Sequence, residues 1–317
     1  MSEVFPTLLY LAPIQGITDH IYRNCYCHYF TGIDAVFTPF IADVSTVKVN
    51  KNKLKDIKPV EAEGVRTVPQ FLSNNPEEIL LIANAFADSG FTEMNWNMGC
   101  PFSKVANKKR GCGILPYPEM VEKIMDMIMN KLPLALSVKT RLGRYNNSEL
   151  ISVLDILNRY PVSEIIIQAR SGIQMYKGAT QPDKFAEYRK LTNLPTVYNG
   201  DIFTVDDFFR LNQQFNDCKR WMIGRGVLQN PFLPADIKQK NEFPEPAKQL
   251  KLMQFHKALF EAYRQTGKEK NYAITKMKAI MFYMKNSFNP KPDIEKKLFK
   301  AKDDKDYWEA FDKMCHV

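Results

Sequence analysis

Asn97-Met98-Gly99-Cys100-Pro101 is the stretch of this chain whose residue types and order point most directly to chemistry. It comes directly after the strand-like run Phe91–Trp96. Gly99 frees the backbone, Pro101 stops the strand, and the thiol of Cys100 is left at the strand's carboxyl end. Most free cysteines are small buried hydrophobes. A glycine-loosened turn is a poor place for packing and a good place for a reactive group. An unperturbed thiol has a pKa of about 8.5 and is mostly protonated at neutral pH. Cys100 is therefore a candidate reactive thiol at the strand's carboxyl end. Cys112, in Gly111-Cys112-Gly113 after Lys108-Lys109-Arg110, reads as an accidental second thiol in a glycine loop.

Further polar residues recur where other apolar runs end. They are Pro13-Ile14-Gln15-Gly16, Gln70, Asn97, Lys139-Thr140-Arg141, Gln168-Ala169-Arg170, Asn199-Gly200-Asp201 and Gly224-Arg225-Gly226. Taken singly each is ordinary: a strand-end lysine often snorkels, and Asn-Gly is often only a turn. Their joint placement after successive strands is not explained by packing alone. In barrels of alternating strands and helices, the loops after the seventh and eighth strands often form a phosphate site. There Gly200 and Gly224 let the backbone approach a phosphate, and Arg225 neutralises it. Lys139 puts a positive charge beside an electron-rich ring, as the N1/O2 edge of a reduced flavin would need. Gln70 and Asn97 are amides of the kind that line such a ring. These residues together predict a phosphorylated ring cofactor with a cysteine poised above it.

Eight short apolar runs carry these residues: Leu8–Pro13, Ala35–Pro39, Thr67–Leu72, Thr92–Asn97, Ala135–Thr140, Glu164–Ala169, Thr196–Asn199 and Trp221–Ile223. Helix-like segments lie between them, at Pro76–Ser89, Tyr117–Asn130, Ser148–Arg159 and Thr204–Phe215. Asn75-Pro76-Glu77-Glu78 and Thr204-Val205-Asp206-Asp207 are helix starts. The alternation predicts an α/β fold, a (β/α)8 TIM barrel. A doubly wound sheet would carry Gly-x-Gly-x-x-Gly after its first strand, and Pro13-Ile14-Gln15-Gly16 is not that. Asn241–Pro246 reads as a linker, followed by helical stretches at Lys248–Gln265, Asn271–Phe288 and Ile294–Cys315. The expected organisation is a catalytic barrel over residues 1–240 and a small all-helical domain over 241–317.

Of the 317 residues, 44 are Lys or Arg and 35 are Asp or Glu, a net charge of +9. Residues 245–317 hold 16 basic and 10 acidic side chains, so +6 of that charge sits in the helical tail. This leans towards a polyanionic partner. The six cysteines are scattered, which fits thiols in a reducing cytoplasm rather than a disulfide framework. Cys25-x-Cys27-His28 has no second ligand pair, and a helix would point the two thiols apart, so no metal is expected. No run approaches the ~18 apolar residues of a membrane span, and Met1–Pro6 lacks a signal-peptide core.

In order and spacing, these motifs resemble the tRNA-dihydrouridine synthases. The likeness spans the barrel and the basic helical tail, and length and spacing are most similar to the bacterial DusC-like branch. The resemblance implies FMN as cofactor, NADPH as reductant and tRNA as substrate, with no membrane and no stable protein partner. The reaction implied is reduction of the C5–C6 bond of a D-loop uridine, with Cys100 protonating C5. By position, Pro13, Ile14 and Gln15 would line the flavin, and Gln70 and Lys139 would contact its ring. Asn199, Gly200, Asp201, Gly224 and Arg225 would hold its phosphate. Asn97, Arg170, Tyr176, Lys276 and Lys278 would contact RNA, Tyr176 by stacking.

Two positions depart from the family pattern. Ile14 stands where methionine is common, an apolar swap of similar size. Gln168 stands where histidine is usual, and glutamine hydrogen-bonds but carries no charge and shuttles no proton. Two other readings follow: a tRNA-binding protein with a vestigial flavin site, motivated by Gln168, and another FMN barrel acting on a small molecule. The basic tail argues against the second, because a small substrate needs no such tail.

Overall fold

A computed structural model describes residues 7–44, 54–238, 244–267, 269 and 271–315. Among the described residues, nine parallel strands run in the order β3-β2-β1-β9-β8-β7-β6-β5-β4. They are β1 Leu8–Leu11, β2 Ala35–Phe37, β3 Arg66–Val68, β4 Gln70–Phe71, β5 Glu93–Met98, β6 Ala135–Gly143, β7 Val162–Ser171, β8 Thr196–Asn199 and β9 Arg220–Ile223. The two outermost strands of that order, β3 and β4, are halves of one run interrupted at Pro69. Proline has no ladder N–H to give, but its carbonyl still accepts from the Asn95 N–H at 2.9 Å. One half therefore pairs with β2 and the other with β5, and the eight expected runs close into a TIM-like barrel.

Alternation along each strand sorts the side chains. The outward set, such as Leu9, Val36, Trp96, Val138, Ile167 and Trp221, packs under the helices in one continuous core. The inward set forms layers. A lower layer of Tyr10, Ala35, Phe37, Val68, Ile166, Val197 and Met222 fills the barrel. Above it the strands turn polar.

The helices start where their caps dictate. The Asn75 side chain accepts from the Glu77 and Glu78 N–H groups and starts helix Pro76–Asp88. Thr204 and Asp207 form a reciprocal capping box at helix Val205–Gln214. β6 and β7 run to Gly143 and Ser171, further than the apolar runs suggest. Lys139 and Gln168 sit on the strands as expected, and Arg141 and Arg170, expected just past the strand ends, are on the strands too.

The tail is helical, as expected, with helices Glu245–Arg264, Tyr272–Met284, Pro292–Lys300 and Asp304–Cys315. The single helix expected over Ile294–Cys315 is two. The chain leaves helical geometry at Ala301, and the Asp303 carboxylate accepts from the Asp306 N–H at 2.9 Å, restarting the helix. The tail docks on the first barrel helix, His20–Tyr29, through rings: Phe255 lies 6.0 Å from Tyr22 and 5.0 Å from Phe30. Of the expected linker, Asn241–Phe243 lie outside the described residues, as does Met1–Pro6. Among the described residues, no helix is long and apolar enough to cross a membrane.

Candidate active site

The upper inward layer opens into a cavity of about 460 Å³ at the carboxyl ends of the strands. Its wall holds Pro13, Ile14 and Gln15, then Gln70, Asn97, Cys100, Lys139, Gln168, Asn199, Gly200, Asp201, Gly224 and Arg225. Strand register brings them together. Asn97 is opposite Lys139 across β5 and β6, and Gln168 is opposite Asn199 across β7 and β8.

Buried amides brace this layer. Asn97 Nδ2 donates to Gln70 Oε1 at 2.7 Å, Gln70 Nε2 to Asn95 Oδ1 at 2.8 Å, and Asn95 Nδ2 to Ser137 Oγ at 2.8 Å. Asn97 has a second task. Its Oδ1 accepts from the Gly99 and Cys100 N–H groups at 3.0 and 2.9 Å, which folds the thiol-bearing turn over the cavity. From the other side, Arg141 Nε donates to the Gly99 carbonyl at 2.9 Å. Its Nη1 reaches the Ser171 and Met175 carbonyls, tying the Cys100 turn to the loop after β7. Gly111 is required here, with φ +55° and an added Cβ only 2.5 Å from the Cys100 carbonyl oxygen.

Cys100 is 7% exposed. Burial pushes its thiol up, against smaller opposing pulls from the Phe102 backbone, Arg141 and Lys139. The net direction keeps the proton on sulfur. Lys139 is 8% exposed, and its ammonium has no hydrogen-bond or ion-pair partner among the described residues. Burial, and then the charge of Arg141, bring it down to about 7. A buried cation without a counter-ion is costly unless an anion arrives.

Across the cavity, Asp201 gathers two guanidinium groups. Arg170 donates to it at 3.0 and 2.5 Å, and Arg225 at 2.7 Å. Burial pushes the Asp201 carboxyl up, but the bonds and charges of Arg170 and Arg225 outweigh it and hold the group below the usual range. Arg170 is 2% exposed and also bonds the Gly178 carbonyl, so it is an internal anchor at the cavity wall. Gly224 lies close to Ala12, where an added Cβ would meet the Ala12 methyl at 3.3 Å.

A family model described as dihydrouridine synthase matches residues 10–315, nearly the whole chain. The chain belongs to the dihydrouridine synthase family. Its reaction is therefore the flavin-dependent reduction of uridine in tRNA. It is 28% identical over 227 residues to a tRNA-dihydrouridine synthase B of Pasteurella multocida, covering 71% of this chain and 67% of that one. It is 25% identical over 308 residues to a tRNA-dihydrouridine(16) synthase of Neisseria meningitidis, covering 94% and 91%. The second likeness includes the helical tail. Among solved structures, morphinone reductase shares the fold, with a TM-score of 0.52, 13% identity, and 76% and 88% of the two chains covered.

The synthase brings the residues read from sequence to one cavity, except the two tail lysines. Lys276 donates to the Asp19 carboxylate at 2.7 Å and to the Gly16 carbonyl at 2.8 Å. Lys278 donates to the Ala301 carbonyl. Both ammonium groups are spent within the fold: the first clamps the tail to the loop after β1, and the second caps the end of helix Pro292–Lys300. Tail residues that sequence reading passed over do reach the site, because Phe282 and Tyr283 line the cavity, as does Phe102 beside Cys100. The one available signal is Met281-Phe282-Tyr283-Met284, four large apolar residues in a row on a helix, which cannot all face the tail core.

Proposed function

We propose that this dihydrouridine synthase binds FMN in the upper barrel layer, takes electrons from NADPH, and acts on a D-loop uridine of cytoplasmic tRNA, with Cys100 as proton donor. One observation carries the reading: the buried Cys100 thiol and the buried, partnerless Lys139 amine line the same cavity. The donor set fits FMN. Lys139 offers a cation to an electron-rich ring, Gln70 and Asn97 offer amides to its edges, and Arg225 beside Gly200 and Gly224 offers a seat for phosphate. When bound, FMN supplies the hydride that uracil receives at C6.

The chain's own residues do the rest. Asn97 and Arg141 fix the Cys100 turn, so the thiol faces whatever enters the mouth. Cys100 passes its proton to C5, the carbon that becomes basic when C6 is reduced. Burial keeps that thiol charged with its proton until an acceptor appears. Uridine in folded tRNA is stacked, so the base must leave its stack to reach this depth. Asn97 and Tyr176 are offered to the extruded base. Arg170 contributes by holding Asp201 and the loop beside it. Gln168 gives the ring or base a hydrogen bond without a proton, which leaves Cys100 as the acid.

The test is direct. Purified enzyme with FMN and NADPH should convert unmodified tRNA into dihydrouridine-containing tRNA, read by mass spectrometry of the digest, and should leave free uridine unchanged. No product from a mixture of unmodified tRNAs would overturn the reading. Reduction of free uridine at a comparable rate would point to the small-molecule alternative.

A further inference from the structure

The rim of the cavity is unusually aromatic for solvent-facing surface. Among the described residues five Phe or Tyr side chains are exposed, Phe102, Tyr145, Tyr176, Phe209 and Phe282, and three of the five line this one cavity. Phe102 is 50% exposed, Tyr176 47% and Phe282 62%. They come from three separate elements: the turn after β5, the loop after β7, and the tail helix Tyr272–Met284. Scattered exposed rings need no explanation, but rings converging on one polar mouth do.

Phe282 is the most exposed of the three and the least explained by packing. Its helix buries Ile274, Met277, Ile280, Met281 and Met284. At about 100° per residue, Phe282 lies roughly 140° around the axis from Met277, away from that face. Its ring meets Tyr283 edge-on at 5.2 Å, which holds it without covering it. Phe102 and Tyr176 stand as a tilted pair 6.4 Å apart, with the Arg141 and Arg225 guanidinium groups 5.2 and 5.9 Å from the Tyr176 ring. A cation-flanked aromatic rim suits nucleobases, whose faces stack on such rings whatever their sequence.

We infer that Phe282 stacks on a nucleobase next to the reduced uridine and holds the RNA stack open while that uridine occupies the barrel. The inference rests on tRNA being the substrate. It gives the tail a role at the catalytic mouth through a ring rather than through charge, which fits Lys276 and Lys278 being engaged elsewhere.

Phe282→Leu keeps an apolar residue and the helix but removes the stacking face, and Phe282→Tyr restores it. In the holoenzyme, Phe282→Leu should weaken tRNA binding and kcat/KM for tRNA roughly 5- to 150-fold, the range for losing one base–aromatic stack. The slope of log affinity against log salt should stay unchanged, because no phosphate contact is lost. Thermal midpoint and NADPH-dependent flavin reduction should match wild type, and Phe282→Tyr should recover most tRNA affinity. Wild-type tRNA affinity and turnover in Phe282→Leu would overturn the assignment. So would a matching loss in flavin reduction, which would give the ring to the reductant, or failure of Phe282→Tyr to recover binding. Wild-type enzyme inert on every unmodified tRNA would instead overturn the substrate reading itself.

Discussion

The barrel holds charged side chains at two depths, and the two sets are treated differently. Low in the barrel, the Glu164 carboxylate is buried, accepts a hydrogen bond from the Tyr10 hydroxyl at 3.1 Å and lies 3.8 Å from Arg220. Arg66 lies over the Tyr10 ring and pairs with Glu93 at 2.6 Å. Every charge there has an answer. In the upper layer Lys139 is equally buried and has none among the described residues. Buried charges normally pair or neutralise. The lower set follows that rule and serves the fold; Lys139 breaks it, and this exception is what supports the proposal that a ligand completes the upper layer.

The comparison can be broken in graded ways. Cys100→Ala should keep flavin and tRNA binding and lower dihydrouridine formation at least roughly 100-fold, the lower end for a lost general acid. Single-turnover assays would show it, and an unchanged rate would remove Cys100 from the chemistry. Asp201→Asn leaves Arg170 facing a neutral group at 2% exposure and should cost roughly 2–3 kcal/mol of stability, discounted for the half-open pair. Because the Asp201 carboxyl is held below its usual range, that contribution is full above its unfolded pKa of about 3.9 and is lost as pH falls further. Wild type and variant should therefore converge in denaturant midpoint under acid. Gln168→His should change turnover by well under the roughly 100-fold of an acid–base group if, as proposed, the proton comes from Cys100. A large gain would show that the missing histidine matters. Glu164→Gln should be smallest. The amide keeps an acceptor for Tyr10 in a site where burial already pushes the carboxyl up, so stability should move by about 1 kcal/mol or less and activity not at all.

The sequence carried the upper layer well and the supporting contacts poorly, for physical reasons. Short apolar runs alternating with helix-like segments made the eight strands and the strand-end motifs readable, and Pro69 inside the third run left its place in the barrel intact. Asn97 was legible as a polar residue near the thiol. Its grip on the Gly99 and Cys100 N–H groups was not, because a side chain's backbone partner depends on how the turn closes. Arg170 and Asp201 were both legible at strand ends, but their pairing required neighbouring strands β7 and β8 in register. The tail was legible as basic and helical. Which of its side chains face the barrel depends on docking against His20–Tyr29, a long-range contact with no local signature. That is why lysines drew attention and Phe282 did not.

The most direct test of the unanswered charge is Lys139→Met, measured with and without flavin. Burial brings Lys139 down to about 7 in the flavin-free fold, against about 10.4 when unfolded, so wild-type apoprotein should gain stability as pH rises from 7 to 10. Lys139→Met apoprotein should be at least as stable as wild type at pH 7, lack that rise, and bind FMN at least roughly tenfold more weakly, the equivalent of about 1.4 kcal/mol. A destabilised apoprotein with wild-type FMN affinity would contradict the account, because Lys139 would then be serving the fold rather than waiting for an anion.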